Sequence, residues 1–163
     1  MDKDKWYNKG LELLKAGNCD DAALNAFNKA IELDPKESKI WCRKGVALDR
    51  LGRWDEALKS HEKAIELNPS YANAWYNKAA ILEQLGRYSL SLETYKKTLE
   101  LQPDDADAWY NCALIYAMNN DKENILICLS KAIEFDKSYK EKAKKEEKFS
   151  PLIEDKRFQA IIE

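Results

Sequence analysis

The chain has 163 residues, 45% hydrophobic and 34% charged, with 27 Lys and Arg against 29 Asp and Glu for a net charge of -2. It is long enough to bury a real core, and it has no overall field that would draw in phosphate backbones or anionic lipid. MDKDKWYNKG at the N-terminus lacks an apolar signal segment and no apolar run is long enough to span a bilayer, so neither a signal peptide nor a transmembrane helix is expected and a cytoplasmic location is.

In chain order, Trp6 is followed four positions later by Gly10 and seven after that by Gly17, which predicts a first helix ended by a residue suited to the left-handed backbone. Ala23, Phe27 and Ala30 are spaced four and three, which puts them on one face of a second helix. Pro35 then closes the unit, because proline cannot continue a helix. The same order returns as Trp41, Gly45, Gly52, then Ala57, His61, Ala64 and Pro69. It returns again as Trp75, Ala79, Gly86, then Ser91, Tyr95, Thr98 and Pro103, and a fourth time as Trp109, Ala113, Asn120, then Ile125, Leu129 and Ala132.

The four tryptophans are 35, 34 and 34 residues apart, a period that marks a stacked array. The extra residue of the first unit falls in NCDD, between Gly17 and Ala23, where a longer loop costs little. Tryptophan, the small residue and the next large one are expected to be buried against neighbouring hairpins, Trp75 on both sides. After Lys137 the pattern stops. KEKAKKEEK predicts a polar capping helix with a Glu141–Lys145 pair, and Phe149, Leu152, Ile153, Phe158, Ile161 and Ile162 are expected to fold back over the last hairpin, starting again at Ser150 and Pro151.

These residues resemble the tetratricopeptide repeat, with its pattern W-x2-L-G-x2-Y, A-x3-F and P over 34 residues. The resemblance covers about Lys3 to Lys137 and implies an all-α fold, a right-handed superhelix (solenoid) of four helix hairpins plus a C-terminal capping helix. The expected organisation is residues 1–137 as four tandem units, at about 3–37, 38–71, 72–105 and 106–137, and residues 138–163 as the capping helix and apolar tail. Lys9, Lys44, Lys78 and Cys112 replace the leucine of the pattern, and the fourth unit has Ile125 for the small residue and Lys137 for the proline.

Little is left for catalysis. All five glycines occupy two repeat positions, so no phosphate-binding loop remains. His61 stands where Phe27, Tyr95 and Leu129 stand in the sister units, which makes it a hydrogen-bonded, semi-buried core residue before it is a ligand or general base. Cys19, Cys42, Cys112 and Cys128 show no C-x-x-C spacing, so they are read as reduced, mostly packed residues, and no cofactor or metal is expected. Carboxylates such as Asp20 and Asp21 complement helix N-termini. Nucleic acid is not an expected partner, since the lysines of 137–148 alternate with Glu141, Glu146 and Glu147; nor is a membrane.

The second, fifth, ninth and twelfth positions of each first helix form a separate stripe: Asp4, Tyr7, Leu11 and Leu14; Lys39, Cys42, Val46 and Asp49; Asn73, Tyr76, Ala80 and Glu83; Asp107, Tyr110, Leu114 and Ala117. Beside it run Asn8, Arg43, Asn77 and Asn111. In the resembled family such positions line a concave groove that takes peptide segments. The resemblance thus implies a non-enzymatic protein-binding scaffold, with a regulatory or targeting part of a larger enzyme, such as a glycosyltransferase, as the alternative. Candidate contacts to an extended or helical protein segment are Tyr7, Asn8, Lys39, Arg43, Arg50, Tyr76, Asn77, Tyr110 and Asn111. For the asparagines, ties between helices explain the spelling equally well. The carboxylate clamp of co-chaperones in the family is not carried over: of the residues at its positions, only Asn77 matches. Lys39, Arg43 and Arg50, spaced four and seven, share a face suited to another acidic group.

Overall fold

A computed structural model of the chain describes residues 2–17 and 19–163. Met1, and Asn18 in the turn expected to hold the extra residue of the first repeat, lie outside the described residues. The helices are α1 (Lys3–Ala16), α2 (Asp20–Leu33), α3 (Ser38–Arg50), α4 (Trp54–Leu67), α5 (Ala72–Gln84), α6 (Tyr88–Leu101), α7 (Ala106–Met118), α8 (Lys122–Phe135), α9 (Tyr139–Lys145), a 3-10 helix (Glu147–Leu152) and α10 (Lys156–Ile162). No strand occurs among the described residues. The chain packs as two compact units, residues 1–94 and 95–163, that divide within α6.

In the first unit α1 pairs with α2 and α3 with α4, and the hairpins stack through α2 on α3 and α4 on α5. Gly17, Gly52 and Gly86 adopt φ of 78°, 70° and 70°, and Asn120 takes 54°. These are the helix-ending positions that the period marks. The N–H groups of Arg53 and Arg87 reach back to the carbonyls of Leu48 and Leu82, at 2.9 and 2.8 Å, and that of Asp121 reaches Tyr116 at 3.1 Å. Each bond satisfies a carbonyl that the helix end would leave bare.

The second-helix face is the true centre of each hairpin. Phe27, His61, Tyr95 and Leu129 are all fully buried, as are the flanking small residues Ala23, Ala30, Ala57, Ala64, Ser91, Thr98 and Ala132. The small first-helix position explains why. A Cβ placed on Gly10 would lie 2.5 Å from Phe27 Cε1, and one on Gly45 would lie 2.5 Å from His61 Cε1, so each ring sits directly on glycine backbone.

The tryptophans depart from expectation. Trp6, Trp41, Trp75 and Trp109 are half-buried, not sunk between hairpins. Their indole N–H groups need an acceptor. Trp41, Trp75 and Trp109 donate to the carbonyls of Pro35, Pro69 and Pro103, each at 2.8 Å, and those turns lie at the surface. The ammonium groups of Lys9 and Lys44 stand 5.3 and 5.2 Å from the Trp6 and Trp41 ring centres, which accounts for lysine where the family pattern has leucine.

In the second unit α7 pairs with α8, and the missing proline of the fourth repeat changes little. Asp136 Oδ1 accepts from the Ser138 N–H at 2.8 Å, the same turn that Asp34 and Asn68 make with Lys36 and Ser70. The C-terminal segment is two short helices and a 3-10 turn. Its last helix begins at Lys156, capped by Asp155, and not at Ser150, because Ser150 and Pro151 are taken up in the 3-10 turn. Phe149, Leu152 and Phe158 are buried as expected, Ile161 and Ile162 are half-buried, and Ile153 is 56% exposed. Glu141 pairs with Lys144 at 2.8 Å, one position earlier than expected.

Candidate binding faces of the first helices

On the first unit, Tyr7, Val46 and Tyr76 are half-buried, while Asp4, Asn8 and Lys39 are exposed. Cys42, between Tyr7 and Tyr76 in the repeat order, is buried, and burial raises its thiol pKa. The Asn77 amide donates to Cys42 Sγ at 3.5 Å, so this asparagine ties α5 to α3. Tyr71, just ahead of α5, packs on the same cluster, and burial pushes its hydroxyl up to about 12.

The three cations expected to share a face have different employment. Arg50 Nη1 donates to the Leu14 carbonyl at 2.6 Å and stands 3.6 Å from Asp20, so it braces the first hairpin. Arg43 is half-buried; its Nε is sealed from solvent and has no hydrogen-bond partner among the described residues. Lys39 borders a pocket of about 170 Å³ lined also by Lys3, Asp4, Tyr7, Glu37 and Ile40. On its rim Lys3 binds Asp34 at 3.1 Å and Glu37 at 3.3 Å, and those hydrogen bonds hold its pKa above the usual lysine value.

On the second unit the same face is covered. Tyr110 is only 9% exposed: the Tyr139 ring lies 4.6 Å from its own, and Phe149 meets it edge-on at 5.9 Å. Burial, with Glu146 nearby, pushes the Tyr110 hydroxyl up to about 12. The Tyr139 hydroxyl donates to the Asp107 carboxylate. Asn111 donates to the Tyr95 hydroxyl at 3.1 Å, tying α7 to α6. The open ring expected of Tyr110 is therefore absent, because the chain's own C-terminal segment lies over it. Sequence reasoning passed over Tyr139 and Tyr71. The available signal was tyrosine at one repeat position twice, 68 residues apart, where a helix begins.

His61 offers no site. It is fully buried on Gly45, and neither ring nitrogen has a hydrogen-bond partner among the described residues, in contrast to the satisfied histidine expected. Burial lowers its pKa to about 4, so the ring is neutral at pH 7.

Helix hairpins repeated every 34 residues, with an indole latched to each closing proline, define a helical-repeat protein. The sequence profile of the tetratricopeptide repeat matches residues 7–62 and 42–105, and a second profile of the same repeat matches 94–126. The chain belongs to the tetratricopeptide repeat family. An uncharacterized protein of Methanocaldococcus jannaschii is 45% identical over 51 residues, which is 31% of this chain and 58% of that protein. Among solved structures, MamA from Desulfovibrio magneticus RS-1 shares the fold with a TM-score of 0.81 at 20% identity, over 98% of this chain and 88% of that one. The first repeat domain of Spaghetti (RPAP3), bound to an HSP90 peptide, superposes with a TM-score of 0.70 at 24% identity, over 72% of this chain and 93% of that one. YrrB, described as having an unusual peptide-binding site, gives 0.73 at 19% identity, over 96% and 80%.

Proposed function

We propose that the chain is a protein-interaction module of four repeats and a C-terminal cap at residues 138–163, which binds an extended or helical segment of another protein on the first-helix face. The observation that carries this reading is Arg43: a half-buried cationic side chain on that face, beside the exposed Lys39 and the half-buried Tyr7 and Tyr76 stripe. Its Nε is sealed within the fold, so a carboxylate or carbonyl from a docked segment would pair with the part of the side chain that meets solvent. Family membership supports the reading, and two structures of the same fold are described as binding peptides. Tyr7, Asn8, Lys39, Arg43 and Tyr76 are its leading contacts. Asn77, Arg50, Tyr110 and Asn111 are engaged within the chain and act chiefly by shaping the face.

The test is selection of peptides from a random displayed library on the intact chain, followed by affinity and melting temperature on the same variants. Arg43→Glu is expected to weaken the selected peptides by about tenfold or more with little change in Tm, and added salt should mimic part of the loss. Leu33→Ala, at an exposed position on α2, serves as control. Peptides indifferent to Tyr7, Lys39, Arg43 and Tyr76 variants would refute the reading.

A further inference from the structure

The first and fourth repeats carry the same residues at two matched first-helix positions, Asp4 with Asp107 and Tyr7 with Tyr110. They differ at the residue where the next helix begins, which is Glu37, just ahead of α3, after the first repeat and Tyr139, the first residue of α9, after the fourth. In the fourth repeat Tyr139 uses both matched groups. Its ring lies 4.6 Å from Tyr110 at an interplanar angle of 35°, and its hydroxyl donates to the Asp107 carboxylate. Tyr71, the counterpart after the second repeat, also packs inward, against Cys42, which holds the position of Tyr7 there. Glu37 instead turns to Lys3, and beside it lies the pocket of about 170 Å³ between Tyr7, Asp4 and Ile40. A dry cavity of roughly 150 Å³ holds one benzene ring. The first repeat thus keeps the aromatic wall and the carboxylate of a tyrosine site but not the tyrosine.

We propose that this pocket binds the side chain of a tyrosine from a partner protein segment, its ring against Tyr7 and Ile40 and its hydroxyl donating to the Asp4 carboxylate. The inference rests on the interaction reading above and supplies the chemistry of one anchor. A phenylalanine would fill the same space and forgo the hydrogen bond.

The experiment is an NMR titration of the intact chain with N-acetyl-tyrosinamide and, separately, N-acetyl-phenylalaninamide. Expected are amide shifts centred on Asp4, Tyr7 and Ile40, with the phenylalanine probe roughly three- to tenfold weaker, as one lost hydrogen bond implies. Asp4→Ala should remove that preference. Glu37→Tyr should abolish the response and raise Tm by supplying the ring from within. Residue 37 has φ -82° and ψ 102°, close to the -82° and 86° of Tyr71, and Lys3 keeps Asp34, so the substitution is compatible with the fold. Shifts centred elsewhere, a Glu37→Tyr chain that titrates like the original, or equal binding of the two probes would overturn the assignment. The probes need no partner, so a failure here is separable from a failure of the peptide selection.

Discussion

Tyr7 and Tyr110 are the same residue at the same repeat position, yet one borders an open pocket and the other lies beneath Tyr139 and Phe149. Repeat position therefore does not settle exposure. What differs is the chain that follows: a further repeat after the first, a non-repeating segment after the fourth. The covered face is a worked example, within one molecule, of what this surface accepts, namely aromatic edges and a phenol on a carboxylate. An open first-repeat face and a filled fourth-repeat face ought to respond differently to the same kind of change.

The largest contrast is expected from removing the rings themselves. Phe149→Ala, which empties a fully buried site over Tyr110, should cost about 3–5 kcal/mol and expose the amides of α7 to hydrogen exchange. Tyr7→Ala, half-buried and half-lining a pocket, should cost clearly less. Equal losses by denaturant unfolding would break the distinction between the two faces.

The second contrast lies under the faces, where the first unit has His61 and the second has Leu129 at one repeat position. The His61 pKa of about 4 is below the ordinary histidine value of 6.5, so the unfolded chain binds the extra proton first. The stability contributed by the neutral ring is present in full above about pH 6.5 and declines as pH falls toward 4, by about 3 kcal/mol over that window. His61→Phe, which restores the ring type that Gly10 seats at Phe27, should flatten that part of the pH profile and raise stability at pH 7. Carboxylates titrate in both proteins, so the difference between the two profiles is the measurement. Parallel profiles would show that the histidine is not sealed.

The period carried a large part of this. It located the left-handed residues Gly17, Gly52, Gly86 and Asn120, including the one that is not glycine, and it placed Phe27, His61, Tyr95 and Leu129 on the buried face. Spacing within a hairpin encodes these features, since each depends on residues less than a repeat apart. That Phe149 folds back over the last hairpin was legible from its apolar segment; that it lands on Tyr110 was not, because the segment has no sister copy to compare. Nor was the half-burial of the tryptophans, which follows from where the proline carbonyls point. The spelling of Asn77 and Asn111 left a ligand and a neighbouring helix as equal alternatives, and their bonds to Cys42 and Tyr95 join residues whose approach no spacing encodes.

The smallest expected effect isolates one bond of the cover. Tyr139→Phe keeps the ring on Tyr110 and removes only the hydroxyl that donates to Asp107, so it should cost about 1–2 kcal/mol. Asp107→Asn, which retains an acceptor, should cost less. If Tyr139→Phe is neutral, the ring alone holds the cover in place, and the carboxylate loses its claim as a recognition element in the first repeat as well.

The seating of Phe27 on Gly10 and of His61 on Gly45 has a bearing on how such an array can grow. In these two hairpins the ring fits because its own hairpin presents a residue without a side chain, whereas the third and fourth hairpins bury Tyr95 and Leu129 with Ala79 and Ala113 at that place in the pattern. Seat and ring are inherited as a matched couple. A whole hairpin can be duplicated without disturbing either, but a crossover in the turn between its two helices would join the glycine of one repeat to the leucine of another and leave a hole, or set a phenylalanine against a methyl group. A junction between hairpins, where the closing prolines stand, can be cut without separating Phe27 from Gly10 or His61 from Gly45.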